Sequence, residues 1–152
     1  MPIKASYGPP RTSRIAAASY VAAAMLVVML LAQLYAYEGF ASVLSIVVAT
    51  NDSRAHQALA AALVVAELVA LPYLLRMYLS NLMRVCSAAA ALMVCGFWLI
   101  TVLTNAHAQN IGVFSDVFSL PGGLLAAVWC FVLTGTVIAT VSADSRFRHV
   151  SP

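Results

Sequence analysis

Residues 15–37 read IAAASYVAAAMLVVMLLAQLYAY, and none of these 23 side chains carries a charge. A helix rises about 1.5 Å per residue, so a stretch of this length can cross a hydrocarbon core of about 30 Å. A secretory signal peptide has a shorter apolar region, of about 7–15 residues. We therefore interpret the stretch as a retained transmembrane helix, with Tyr35 and Tyr37 as aromatic anchors at the far interface.

Three further apolar stretches have the length and composition of membrane spans. They cover residues 57–75, 85–103 and 121–143. The whole chain of 152 residues is 63% apolar and 9% charged, whereas soluble domains carry about 25% charged residues. The sequence therefore predicts an all-α integral membrane protein, in which residues 15–143 form a single left-handed four-helix transmembrane bundle.

A shorter apolar segment, residues 40–50, follows Glu38-Gly39, which we expect to break the first apolar run. The segment is too short to cross a bilayer. Its larger apolar side chains recur at the spacing of one helix face: Phe40, Leu44, Val47 and Val48. This pattern predicts an additional short helix after the first span, lying near the outer membrane surface.

The basic residues are distributed very unevenly between the two sides of a four-span protein. One side would hold seven of the eight Lys and Arg residues, in the tails 1–14 and 144–152 and in the connection between the second and third spans, and the other side Arg54 alone. Lys and Arg accumulate on the cytoplasmic side. We therefore expect both termini in the cytoplasm, with the chain in a bacterial plasma membrane, and we do not interpret the net charge of +3 as a nucleic-acid signal.

Glu67 is the candidate site residue, because it lies near the middle of the second predicted span, in LVVAELVALP at residues 63–72. Placing an ionisable group at this depth costs roughly 2.5–3.5 kcal/mol. We therefore expect Glu67 to face the bundle interior as the neutral acid. Two interpretations stay open: a proton or ligand contact, and a structural hydrogen bond to a neighbouring helix. Pro72 is predicted to kink this span beside Glu67, since it removes one backbone hydrogen bond.

Cysteine and histidine residues give no clear sign of a reactive centre. Cys86, Cys95 and Cys130 lie in apolar stretches without Cys-x-x-Cys spacing, and we interpret them as small apolar side chains. A disulfide from Cys130 to Cys86 or Cys95 stays an alternative. His56 and His107 lack the close spacing of metal ligands. We therefore predict neither a metal site nor a cofactor, and an enzyme is the less favoured interpretation.

The order of these features resembles the DoxX/MauE-like families of four-span membrane proteins. The resemblance covers residues 15–143 and is closest at ELVALPYLLR, residues 67–76, followed by Leu79-Ser80. It implies an association with redox partners at the membrane, such as quinone-linked oxidoreductases or the disulfide maturation of periplasmic enzymes. Residues 110–115 lack the cysteine pair of the MauE-type pattern, so thiol–disulfide transfer is not expected here.

Three functions follow as hypotheses. The first is a small non-catalytic membrane protein of DoxX-like type, acting as an accessory subunit of a redox or respiratory assembly. The second is a quinone- or lipid-binding membrane protein that uses Glu67 as its polar contact. The third is an oligomeric transporter or channel component, against which stands the single charged residue at membrane depth. The expected partners are the lipid bilayer and other membrane proteins or quinone, and no nucleic acid.

Overall fold

The computed structural model describes residues 13–47, 53–105, 113–114 and 124–148, and within them it holds five helices and no strand. The helices are α1 (Ser13–Tyr35), α2 (Tyr37–Val47), α3 (Ser53–Leu74), α4 (Asn81–Thr104) and α5 (Leu124–Arg148). Four of them, α1, α3, α4 and α5, are long and apolar enough to cross a membrane. The predicted all-α membrane bundle, with a short helix after the first span, is confirmed.

The four long helices form a ring in the order α1, α3, α4, α5, and α2 packs mainly along α3. Successive long helices are antiparallel: Ser19, near the start of α1, donates its hydroxyl to the carbonyl of Leu74, at the end of α3. The bundle therefore has two distinct ends. We name the end where α1 and α4 finish the Val113 end, and the opposite end, where α4 begins, the Ser80 end.

The apolar side chains occupy both the interior and the outer surface of the bundle. The interior is filled by fully buried large residues, among them Leu26, Met29, Leu44, Trp98 and Leu133. The outer faces also carry large apolar side chains, such as Val28, Leu31, Ile100 and Phe131. A water-facing surface of this kind would be unfavourable, whereas a lipid environment accepts it. The burial pattern is thus that of an integral membrane protein.

The junction between α1 and α2 differs from the predicted break at Glu38-Gly39. Only Ala36 separates the two helices, and both Glu38 and Gly39 lie inside α2. Hydrogen bonds run through the junction, from the N–H of Ala36 to the carbonyl of Ala32 and from the N–H of Phe40 to that of Ala36. Glu38 lies in the first turn of α2, where a carboxylate interacts favourably with the helix dipole.

The connection between α3 and α4 is shorter than the sequence indicates. Asn81 and Arg84, expected in a polar loop, lie in the first turn of α4, where the Ser80 hydroxyl accepts the N–H of Met83 at 3.4 Å. Helix α3 ends in a Schellman motif: the N–H of Met77 bonds the carbonyl of Pro72, and the N–H of Arg76 bonds that of Tyr73. Arg76 adopts φ 57°, in the left-handed region.

The observed helix ends differ from the predicted spans by a few residues elsewhere. Helix α3 begins at Ser53, before the predicted span of about 57–75, and α5 continues to Arg148, beyond the predicted span end near 143. Val48 in the predicted interfacial face, and Pro121 at the predicted start of the fourth span, lie outside the described residues. Phe40 and Leu44, the members of that face whose side chains are described, are fully buried. The position of α2 relative to the membrane surface stays a prediction.

Candidate functional site

The side chain of Glu67 lies inside the bundle and is fully buried. On α3 it shares one face with Leu63, Ala70 and Leu74, which are also buried, whereas its neighbour Leu68 is 47% exposed. This face follows from the helical period, since residues three, four and seven positions apart lie above one another. An interior position for the carboxyl group is therefore dictated by the apolar pattern around it.

Two other helices donate hydrogen bonds to the carboxyl group of Glu67. The side-chain amide of Gln33, on α1, donates from Nε2 to Oε1 at 3.1 Å. The indole of Trp98, on α4, donates from Nε1 to the same oxygen at 3.3 Å. Gln33 and Trp98 are both fully buried. We call these three side chains the Glu67 cluster, and it joins α1, α3 and α4.

The partners of Glu67 come from the part of the bundle near the Val113 end. Gln33 lies two residues before the end of α1, and Trp98 lies in the second half of α4. Side chains in a helix lean toward its N-terminus. Because α1 and α3 are antiparallel, Gln33 and Glu67 lean toward each other along the bundle, which lets side chains from different levels meet.

Aromatic and loop residues surround the Glu67 cluster. The ring of Trp98 is edge-on to Phe97, with centroids 5.3 Å apart, and tilted against Phe40 of α2 at 6.2 Å. At the Val113 end, Val113 and Phe114 are buried, and the carbonyl of Val113 lies 3.5 Å from Nε2 of Gln33, a long and weak contact. Phe40 of α2 and the segment at Val113 therefore pack against the cluster.

Not every polar atom of the Glu67 cluster is paired. Oε2 of Glu67 and Oε1 of Gln33 are buried and have no hydrogen-bond partner in the described part of the chain. Two buried hydroxyl groups elsewhere, of Ser87 and Thr134, share this property. Hydroxyl groups can rotate to bond their own helix backbone. The two oxygens of the cluster have less freedom, because the hydrogen bond from Nε2 of Gln33 to Oε1 of Glu67 fixes both side chains.

No protein-family model, curated protein or solved structure matches this chain. The residues themselves therefore carry the functional argument.

Pro72 lies five residues after Glu67 and remains within α3. Its ring leaves the carbonyl of Leu68 without the usual helical N–H donor. The helix continues beyond it: the N–H of Leu75 bonds the carbonyl of Leu71 at 2.8 Å, and the carbonyl of Pro72 accepts the N–H of Met77 at 3.0 Å. Pro72 thus belongs to the structure that terminates α3, and the kink expected there stays a prediction.

The other candidate residues are spread over the molecule. Cys95 and Cys130 are buried on α4 and α5, Cys86 is exposed, and all three are free thiols. His56 is buried near the start of α3, and His107 lies outside the described residues. In the described parts of the chain, no three His, Cys, Asp or Glu side chains come together in a way that could hold a metal ion.

Sequence reasoning identified Glu67 but missed both residues that bind it. Gln33 lies in the stretch singled out for its lack of charge, and Trp98 lies inside the third predicted span, where a packing role is the default interpretation. A signal for Gln33 was present, since it is the one carboxamide in residues 15–37. A buried amide needs a hydrogen-bond partner, and the acid of the neighbouring span is a suitable one.

Proposed function

We propose that this chain is a non-catalytic integral membrane protein that works as an accessory subunit, packed against another membrane protein. The observation that supports it best is an exposed small-residue face on α5. Gly135 and Ala139 are exposed and four residues apart, and a Cβ atom added to Gly135 would meet nothing within 4 Å. Packing inside the chain therefore gives no reason for a glycine at this position.

Glycine in a helix interior costs roughly 0.5–1 kcal/mol relative to alanine. In membranes, small residues four positions apart let the backbones of two helices approach closely. A partner helix lying across Gly135 and Ala139 accounts for that cost. The DoxX-like resemblance suggests a redox or respiratory assembly as the setting, and the closed Glu67 cluster supports a structural rather than a catalytic role for that acid.

Copurification from native membranes in mild detergent tests this proposal. We expect a stable membrane-protein partner with the wild-type chain, loss of that partner with Gly135→Leu, and retention with Ala61→Leu. Ala61 is an exposed alanine of α3, so its variant adds the same bulk to a different outer face. Retention of the partner by Gly135→Leu would refute the proposed face, and a homo-oligomer without other proteins would favour a transporter or channel component instead.

A quinone- or lipid-binding function is the second candidate, supported by the unpaired Oε2 of Glu67 and Oε1 of Gln33. A quinol hydroxyl could donate to one of them. Extraction of the purified chain followed by quantification of quinone tests this. Quinone in a one-to-one ratio, lost in Glu67→Leu, would favour the binding function, whereas equal traces in both proteins would count against it.

A further inference from the structure

The two unpaired oxygens of the Glu67 cluster belong to side chains that are already joined. Oε2 of Glu67 and Oε1 of Gln33 lack partners among the described residues, while Nε2 of Gln33 donates to Oε1 of Glu67 at 3.1 Å. A buried polar atom without a partner destabilises the fold, because it has lost its hydrogen bond to water. Both oxygens are acceptors when Glu67 is ionised, so they cannot satisfy each other without a hydrogen atom between them.

We propose that Glu67 and Gln33 form a proton-binding acid–amide pair, in which Oε2 of Glu67 carries a proton and donates it to Oε1 of Gln33. This bond and the observed N–H···O bond together close a ring of two hydrogen bonds between one acid and one amide. The carboxylate takes its proton from water and returns it to water, so no other reactant is needed. The proposal does not rest on the subunit function proposed above.

The distribution of donors identifies which oxygen holds the proton. Oε1 of Glu67 accepts two N–H groups, from Gln33 and Trp98, and these use both lone pairs of a carbonyl oxygen. Oε2 is then the hydroxyl oxygen, a donor that needs one acceptor. The carbonyl oxygen of the Gln33 amide is a buried acceptor in need of one donor. One proton therefore satisfies both atoms.

The surroundings of the Glu67 carboxyl group favour its neutral form over an anion. Burial is the largest influence on this group, ahead of its hydrogen bonds from Gln33 and Trp98. Cys95 on α4 interacts electrostatically with it. Other titratable side chains are described on α1, α2 and α4. Tyr20, Tyr35, Glu38 and Cys86 are exposed. Tyr37 donates its hydroxyl to the carbonyl of Gln57, and Arg84 lies at the Ser80 end.

Loss of the proton would affect several elements at once. It would place a negative charge in a site without a cation and set Oε2 of Glu67 against Oε1 of Gln33, which weakens the contact between α1 and α3. The same amide reaches the Val113 carbonyl, so the segment at the Val113 end would also lose support. Since the proposed pair needs its proton to form, we expect the stability of the bundle to fall as the pH rises.

Infrared spectroscopy and unfolding of the full chain in lipid nanodiscs test the pair. In wild type we expect a carbonyl-stretch band of a protonated, buried carboxylic acid at neutral pH, absent in Glu67→Gln and shifted to higher frequency in Gln33→Leu. Ser87→Ala, which removes a different buried hydroxyl without a partner among the described residues, should leave the band in place. The unfolding midpoint of wild type should fall as the pH rises, relative to that of Glu67→Gln.

The comparison with Glu67→Gln isolates one proton. Two amides can form the same ring of hydrogen bonds without titrating, so this variant should fold normally, and every other ionisable group is common to both proteins. A missing acid band at neutral pH in wild type would overturn the proposal. So would parallel pH profiles of wild type and Glu67→Gln, or a band that Gln33→Leu leaves unchanged. If Gln33→Leu does not fold, the first two results decide.

Discussion

Glu67 accepts hydrogen bonds from two other helices, so substitutions of this one side chain test how much those bonds stabilise the bundle. Glu67→Gln keeps both and should leave the free energy of unfolding nearly unchanged at neutral pH. Glu67→Leu leaves the N–H groups of Gln33 and Trp98 without their acceptor, and should destabilise the chain by about 1–2 kcal/mol. Unfolding in mixed detergent micelles measures both, with Leu68→Ala as an outward-facing control. Equal stability of the Glu67, Gln and Leu forms would contradict the structural role.

The N–H groups of Trp98, which is fully buried, and of Trp129, which is half-buried, provide a comparison at the same scale. Trp98 donates to a carboxyl oxygen at 3.3 Å, whereas Trp129 donates to the sulfur of Met29 at 3.2 Å, and sulfur is a weak acceptor. Trp98→Phe should therefore lower the free energy of unfolding by about 0.5–1.5 kcal/mol more than Trp129→Phe does. The same unfolding assay decides, and a larger loss for Trp129→Phe would show that ring packing, not hydrogen bonding, dominates.

At this scale the sequence predicts positions better than partners. The interior position of Glu67 follows from the cost of a carboxyl group in hydrocarbon and from the apolar residues around it. The partnership with Gln33 depends on how α1 and α3 are aligned along the bundle, and one-dimensional periodicity contains no information on that alignment. Trp98 is likewise identified as a donor only when the packing of α4 against α3 is known.

Among the elements, the end of α3 has an unusual residue for its backbone conformation. The left-handed position of a Schellman motif favours glycine, and other residues there cost roughly 1–2 kcal/mol. Arg76 occupies it with φ 57°. We predict that Arg76→Val is less stable than Arg76→Gly by about this amount. Both variants lack the arginine side chain, so the difference in their unfolding free energies reports the backbone alone, and equal values would contradict the assigned motif.

The glycines inside α4 and α5 are positions where a substitution should raise the stability of the chain. A Cβ atom at Gly96 or at Gly135 would meet nothing within 4 Å. Gly96→Ala and Gly135→Ala should each stabilise the isolated chain by about 0.5–1 kcal/mol, because alanine loses less backbone entropy on helix formation. Thermal unfolding of the purified chain measures this. A loss of stability in either variant would mean that the helix surface there is closer to a neighbour than the structure indicates.

Helix existence was predictable from long apolar stretches, whereas helix ends were not. Hydropathy marks the part of a helix that lies in hydrocarbon, so the predicted spans begin at about 57 and 85, whereas α3 and α4 begin at Ser53 and Asn81. Polar residues in a first turn, such as Arg84, belong to the helix by hydrogen bonding and not by hydropathy. The same limitation explains the misplaced break at Glu38-Gly39.

For the whole molecule, orientation in the membrane follows from charge rather than from packing. The Ser80 end carries Arg76 and Arg84, next to the amino-terminal start of α1 and the last residues of α5, while Arg54 lies at the opposite end. We predict that cysteines introduced by Asp52→Cys and Asp116→Cys, in a chain without its native cysteines, react with an impermeant reagent from outside intact cells. Reaction only after permeabilisation would reverse the orientation.

The junction between α1 and α2 consists of Ala36 alone, and the number of residues there matters more than their identity. An α-helix turns by about 100° per residue, and the N–H of Phe40 bonds the carbonyl of Ala36 at the junction. A single residue inserted between Ala36 and Phe40 would rotate Phe40 and Leu44 by that angle, away from the face that buries them. Substitutions at this junction should thus be tolerated wherever helix formation is kept, while insertions and deletions should not, and relatives of this protein should show no gaps there.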